Sequence, residues 1–211
     1  MEAVQNAELL NMIRTELAEV NTSMPAKIVA YDADSRMADV RPAIDKLTAD
    51  GRVIEAPVIH GVQVRFLSAP SVQAIVSLPL NPGDGGILHF SQRSLDEWLN
   101  GTRAPKESRL FDLNDAFFVP GVDSLAELVP AEPDCLLIKI GAAVIRMYEN
   151  GSAVVTLPAG LRFETPLATF TANVQVDDTL NADTDVISGG ISGVGHTHTE
   201  QGDGNDVSAP K

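Results

Sequence analysis

Apolar positions along the chain change period twice. Between residues 3 and 22, Leu10, Ile13, Leu17 and Val20 recur at intervals of three and four, with Asn6 one step before, while Glu8, Arg14, Glu16 and Glu19 fall outside the stripe. That spacing predicts an amphipathic helix, ended by Asn21-Thr22-Ser23-Met24-Pro25. A helix so short, with so narrow an apolar face, is marginal alone. It is expected to pack either on a neighbouring chain, along a coiled-coil-like seam, or on its own following domain.

From Ala26 to Val119 the period becomes that of short strands separated by turn residues. Lys27–Tyr31 and Met37–Arg41 flank Asp32-Ala33-Asp34-Ser35-Arg36 as a hairpin, and 52–59, 62–66, 72–80 and 86–90 continue the series. Asn81-Pro82-Gly83-Asp84-Gly85-Gly86 is glycine-rich, but it has no lysine and does not lead from a strand into a helix, so it reads as a turn and not a phosphate cradle. Ser94 and Glu97 have the spacing of a capping box for a short helix around Trp98. The segment from Phe111 to Gly121 supplies a closing strand. Five or six short strands with one small helix predict a compact OB-like barrel.

A second β-rich region begins at Leu136. Residues 136–140, 143–148 and 153–157 read as strands, 161–165 and 171–176 alternate apolar and polar, and Glu149-Asn150-Gly151-Ser152 carries a type I′ hairpin signal. After residue 150 the only aromatic side chains are Phe163 and Phe170, among glycine, alanine, threonine and aspartate. Such a segment has too little bulk for a core of its own. A chain that needs no core has no reason to keep a period of two, so the alternation argues against disorder. An intertwined trimeric β-helix or β-prism meets both constraints, since each of three chains contributes one thin apolar stripe and pairs the others' strand edges. The predicted fold is mainly β. It comprises an N-terminal helix (1–24), an OB-like barrel (25–121), a proline-marked linker (122–135), a trimeric spike segment (136–194) and an apex with a tail (195–211).

Charge and composition narrow the function. A formal net charge of −14 over 211 residues argues against nucleic-acid binding and against attraction to anionic membrane surfaces. The single cysteine, Cys135, sits in the apolar run Cys135-Leu136-Leu137-Ile138 and reads as a buried thiol, compatible with a reducing compartment. The N-terminus has no signal-peptide pattern, and Lys139 breaks the best apolar stretch far short of a membrane span of about 20 residues.

Two of the four histidines, His196 and His198, lie two positions apart in the glycine-rich end of the chain; His60 and His89 stand in the barrel without metal-ligand spacing and read as structural. In an extended backbone His196 and His198 face one side, about 7 Å apart along the strand. Three chains around a threefold axis would bring six imidazoles to one centre. The following tail, from Glu200 to Lys211, could fold back over such a tip.

The chain resembles the central spike proteins of contractile bacteriophage tails and tailocins, the baseplate-V-like or membrane-piercing family. The resemblance rests on Pro57-Val58-Ile59-His60-Gly61-Val62-Gln63-Val64-Arg65-Phe66, Leu78–Gly86 and Ser91–Trp98 in the barrel, and on Gly195-His196-Thr197-His198-Thr199 with Gln201-Gly202-Asp203 and Ala209-Pro210 at the end. It implies a homotrimer docked on the baseplate hub at the end of the tail tube, assembled in the host cytoplasm and carried at the tip of the virion. It further implies one iron ion per trimer, held by His196 and His198 of all three chains, and a point driven through the host outer membrane by sheath contraction. Six imidazoles suit an octahedral transition ion such as iron(II) better than zinc, which prefers four ligands. No catalysis is implied.

Two alternatives compete. A trimeric fibre or adhesin would carry the same β-rich segment with an incidental histidine pair. A metal-dependent hydrolase would use His196, His198 and a nearby acid such as Glu200 or Asp203, but it needs further ligands and a pocket of large side chains.

Overall fold

The computed structural model describes residues 2–48 and 50–196. The chain divides into two units, residues 1–133 and 134–211. Both are mainly β.

The first unit opens with helix α1 (Glu2–Ala18). The expected stripe is present and solvent-facing, with Leu10, Ile13 and Leu17 all exposed. Strands β1 (Ser23–Asp32) and β2 (Met37–Pro42) form the predicted hairpin. A small ribbon, β3 (Lys46–Leu47) with β4 (Val53–Ile54), precedes β5 (Ile59–Val64). A second ribbon, β6 (Leu67–Ala69) with β7 (Ala74–Val76), precedes β8 (Gly85–Phe90), and α2 (Asp96–Leu99) leads to β9 (Ala116–Pro120). Five of these strands close a barrel in the order β1-β2-β5-β9-β8, with β5 and β9 parallel. The ribbons lie outside that ladder, so the long strands expected over 52–59 and 72–80 are replaced by short hairpins.

Period-two alternation explains the core. Ala26, Ile28, Ala38, Val40, Ile59, Val62, Val64, Leu88, Phe90, Ala116 and Phe118 point inward as one cluster. Two features bend the sheet enough to close. Gly86 at the start of β8 lies so near β9 that a Cβ there would meet Phe118 Cζ at 2.3 Å. Opposite β2, β5 carries an extra residue at Gly61, whose φ of +66° suits glycine.

Asp39 clamps that bulge. Its Oδ1 accepts the Gly61 N–H at 3.1 Å and its Oδ2 lies 2.9 Å from His60 Nδ1. The His60 hydrogen bond first, then that of Gly61, holds the Asp39 carboxyl below the usual carboxylate range. This gives His60 the structural role expected of it.

The capping box expected at Ser94 and Glu97 does not form. Leu95 occupies the cap position without a side-chain hydrogen bond. The Ser94 hydroxyl accepts from Arg109 Nη2, and Glu97 is taken by Lys106 and Thr102. Long-range partners outcompete the local cap.

In the second unit, β10 (Cys135–Ile140), β11 (Ala143–Tyr148) and β12 (Ala153–Thr156) form an antiparallel meander. The β11–β12 connection differs from the type I′ expectation. Gly151 alone has positive φ, at +82°, and its N–H donates to Tyr148 O, while the Tyr148 N–H donates to Ser152 O. This is a three-residue loop with a glycine bulge. Residues 157–186 form no strand, although 161–165 and 171–176 alternate as strands do. Within one chain these segments find no partner edge. The unit ends with β13 (Ile187–Ser188) and β14 (Ile191–Ser192), joined by Gly189 and Gly190 at φ of +58° and +83°. Cys135, expected to be buried, is half-buried on β10.

Candidate functional site

The described part of the C-terminal apex is a turn built from small residues around one carboxylate. β13 and β14 pair Ile187 with Ser192 and Ser188 with Ile191. Two successive glycines with positive φ allow the tight reversal that a two-residue hairpin requires. The chain then curls back, and the Gly193 N–H donates to Val186 O at 2.8 Å and the Val194 N–H to Asp185 Oδ1 at 3.1 Å. A Cβ at Gly193 would meet Val186 O at 3.1 Å, so a larger residue would crowd this closure.

Ser192 joins the two halves of the turn. Its hydroxyl accepts the Gly195 N–H at 2.7 Å, and its hydrogen bond to Asp185 is the leading reason that the Asp185 carboxyl sits below the usual range. The backbone is thereby fixed up to His196. The imidazole Nδ1 of His196 lies 3.0 Å from Ser192 O and 3.1 Å from Gly193 O. Carbonyl oxygens only accept, so at this contact Nδ1 carries a proton and donates. A histidine ligand commonly has this arrangement, with one ring nitrogen donating to a carbonyl and the other presenting a lone pair to the ion. In the expected ligand pair, His196 would use Nε2 toward an ion, since Nδ1 is engaged with the carbonyls. His198 lies outside the described residues. Among the described residues, no three His, Cys, Asp or Glu side chains converge as a metal site.

His89, on β8, is exposed opposite Phe117 and Ser23 in the ladder. Four barrel features were not legible as a site in the sequence. Trp98 stands edge-on to Phe117, with ring centroids 5.6 Å apart and planes at 90°. Arg65 lies over the same Phe117 ring at 4.5 Å. Arg109 binds Asp115, and two grooves flank the Trp98 indole. Sequence spacing could not reveal these, because each joins residues from different strands and loops.

A closed five-stranded barrel is followed by a β-rich extension in which Val144 is the one buried apolar side chain among the described residues. Residues 24–121, which span the barrel, match the family model described as the phage protein Gp138 N-terminal domain. No curated protein matches the chain. The match supports a phage-related, tail or baseplate role for the chain.

Proposed function

We propose that this protein is the central spike of a contractile phage tail or tailocin, a homotrimer whose C-terminal segments intertwine into a β-helical or β-prism needle. One observation carries the reading. In the second unit Val144 is the only buried apolar side chain among the described residues, while Leu136, Ile138, Ile140, Val154, Val155, Leu161, Phe163, Leu167, Phe170, Val174 and Val176 are exposed. Phe163 and Phe170 are 71% and 69% exposed. Burying apolar surface is worth about 25 cal/mol per Å², so covering these exposed apolar positions would stabilise the folded chain. Two further copies of the same segment would cover it, and their edges would pair the strandless stretch 157–186.

The apex completes the needle. His196, held through Nδ1 by Ser192 O and Gly193 O, and His198 from each chain would together present six imidazoles. An iron(II) ion there would supply a cross-link among three chain ends. The chain's own part is mechanical: the Asp185–Ser192 turn fixes the direction in which each end approaches the axis. Barrels and helices would dock on the baseplate hub, and the point would be driven through the host outer membrane. No reaction is catalysed in this reading.

Elemental analysis of the purified protein together with its mass in solution tests it. The expected result is a trimer with one iron atom per three chains. A monomer carrying one zinc per chain would overturn it and favour a hydrolase; a trimer without tightly held metal would favour a fibre.

A further inference from the structure

The barrel carries a cationic and aromatic surface that the needle does not use. Trp98, 53% exposed, forms a wall shared by two grooves. One groove, of about 290 Å³, is lined by Arg36 and Arg65 together with Phe66, Ser68 and Pro70. The other, of about 220 Å³, is lined by Arg93 and Arg103 with Thr102, Pro105 and Glu97, whose carboxylate is paired by Lys106. In a chain with 29 acidic and 15 basic residues, four arginines thus surround one indole.

Nothing within the described residues neutralises them. No carboxylate pairs with Arg36, Arg65, Arg93 or Arg103, although other exposed arginines such as Arg41, Arg52 and Arg162 each have one. The acids nearest in sequence are committed elsewhere: Glu97 to Lys106 and Thr102, and Asp96 to Arg109. The aromatic part is rigid, because the Phe117 ring holds Trp98 against its edge and Arg65 above its face. A flat indole between two pairs of unmatched guanidinium groups is preorganised for an apolar side chain flanked by carboxylates. Guanidinium binds carboxylate through two parallel hydrogen bonds, which adds geometry to charge.

We infer that this surface docks an acidic peptide segment of a partner protein, with an apolar residue on Trp98 and carboxylates in both grooves. A polynucleotide fits less well. Two arginines per groove neutralise few phosphates, and the rest of the chain, at −14, repels a polyanion. The inference concerns the barrel alone and does not depend on the needle or its metal.

Trp98 is the only tryptophan in the chain, so its fluorescence reports directly on the site. The probe is a synthetic octapeptide library with Asp or Glu alternating with Leu or Phe, and the matched Asn/Gln library is the control, both titrated into the full-length protein. The acidic library should shift Trp98 emission saturably, and raising salt from about 20 mM to about 200 mM should weaken binding. Arg93→Glu with Arg103→Glu, and separately Arg65→Glu, should weaken it about tenfold or more, whereas Lys46→Glu on the distant β3 ribbon should not. Equal response to both libraries, no response, or tighter binding of oligothymidylate would overturn the inference. So would a change in solution mass of the Arg93→Glu/Arg103→Glu protein, which would make the surface a contact between copies of this chain.

Discussion

Arg109 grips Asp115 with two donors, Nε to Oδ2 and Nη2 to Oδ1, each at 3.2 Å. Asp115 is 1% exposed and the one buried charged side chain among the described residues. It also accepts the Leu95 N–H at 2.8 Å, while Arg109 reaches on to Ser94, Asp96 and Glu107. One guanidinium therefore ties the entry of β9 to the loop carrying α2. Removing it leaves a buried carboxylate without its counter-charge. Arg109→Met should cost about 3 kcal/mol. Asp115→Asn, which keeps an acceptor for Leu95 and leaves Arg109 its exposed partners, should cost about 1 kcal/mol. Urea denaturation of the two variants checks the order; equal losses would mean that the ion pair is not what stabilises the loop.

Gly86 is required for a different reason. A methyl group there would stand 2.3 Å from Phe118 Cζ and 2.5 Å from Val119 O, and the backbone oxygen cannot rotate away. Gly86→Ala should therefore destabilise the barrel by about 2 kcal/mol through overpacking. At Gly83, on the turn before β8, the φ of +98° is the constraint and no neighbour lies within 4 Å. Gly83→Ala should cost about 1 kcal/mol. Thermal unfolding distinguishes the two, with the larger fall expected for Gly86→Ala.

The segment after the barrel is held by charge. Lys27 Nζ lies 2.5 Å from Glu127 Oε1, and Ser124 Oγ donates to Glu127 Oε2 at 3.0 Å. Lys27 first, and then Ser124, keeps the Glu127 carboxyl below its ordinary range. A carboxyl whose pKa is depressed by folding contributes stability above its unfolded pKa, near 4.3, and loses it as pH falls through the lower folded value. Acidification below about pH 4 should therefore release residues 122–129 before the barrel unfolds, seen as lost protection of the Glu127 amide relative to its intrinsic exchange rate at that pH. Glu127→Gln should show the same loss of protection, as fast exchange, at neutral pH. Amide exchange that stays slow in that variant would show that the ion pair does not hold the segment.

The barrel was legible from sequence because its partners lie within the chain. Alternation in β1, β2, β5, β8 and β9 places Val40, Val64, Leu88 and Phe118 in one core, and the order of the strands does the rest. The capping box at Ser94 was misread because Arg109, fifteen residues away, competes for the same hydroxyl, and no local rule sees that distance. Over residues 161–176 the alternation is clear, and the structure of one chain has no strand there to answer it. At the apex, the paired histidines stood out by rarity alone. The carbonyl contacts that orient His196 depend on a turn closed by Asp185 eleven residues earlier, and no spacing rule encodes it.

Deleting residues 134–211 tests where oligomerisation resides. The barrel core lies wholly within the first unit, so the remaining chain should stay folded and soluble with cooperative unfolding. It should sediment mainly as a monomer, since the exposed stripe assigned to the shared core is gone. An unchanged trimer would instead place assembly on α1, whose Leu10, Ile13 and Leu17 are also exposed at seam spacing.

The histidine pair separates the point from the shaft. Replacing His196 and His198 with alanine removes every imidazole from the proposed apex but leaves the apolar stripe of residues 136–176 untouched. If three chains are held chiefly by that stripe, the variant should remain a trimer of unchanged mass while its iron falls from one atom per three chains to background. Single substitutions should each retain a trimer with weaker metal retention, because three imidazoles still face the axis. Loss of the trimer on the double substitution would reverse the assignment, making the metal the assembly device and the stripe too weak to act alone. Retention of full iron content would move the ion elsewhere in the chain and leave the His196 turn without a ligand role.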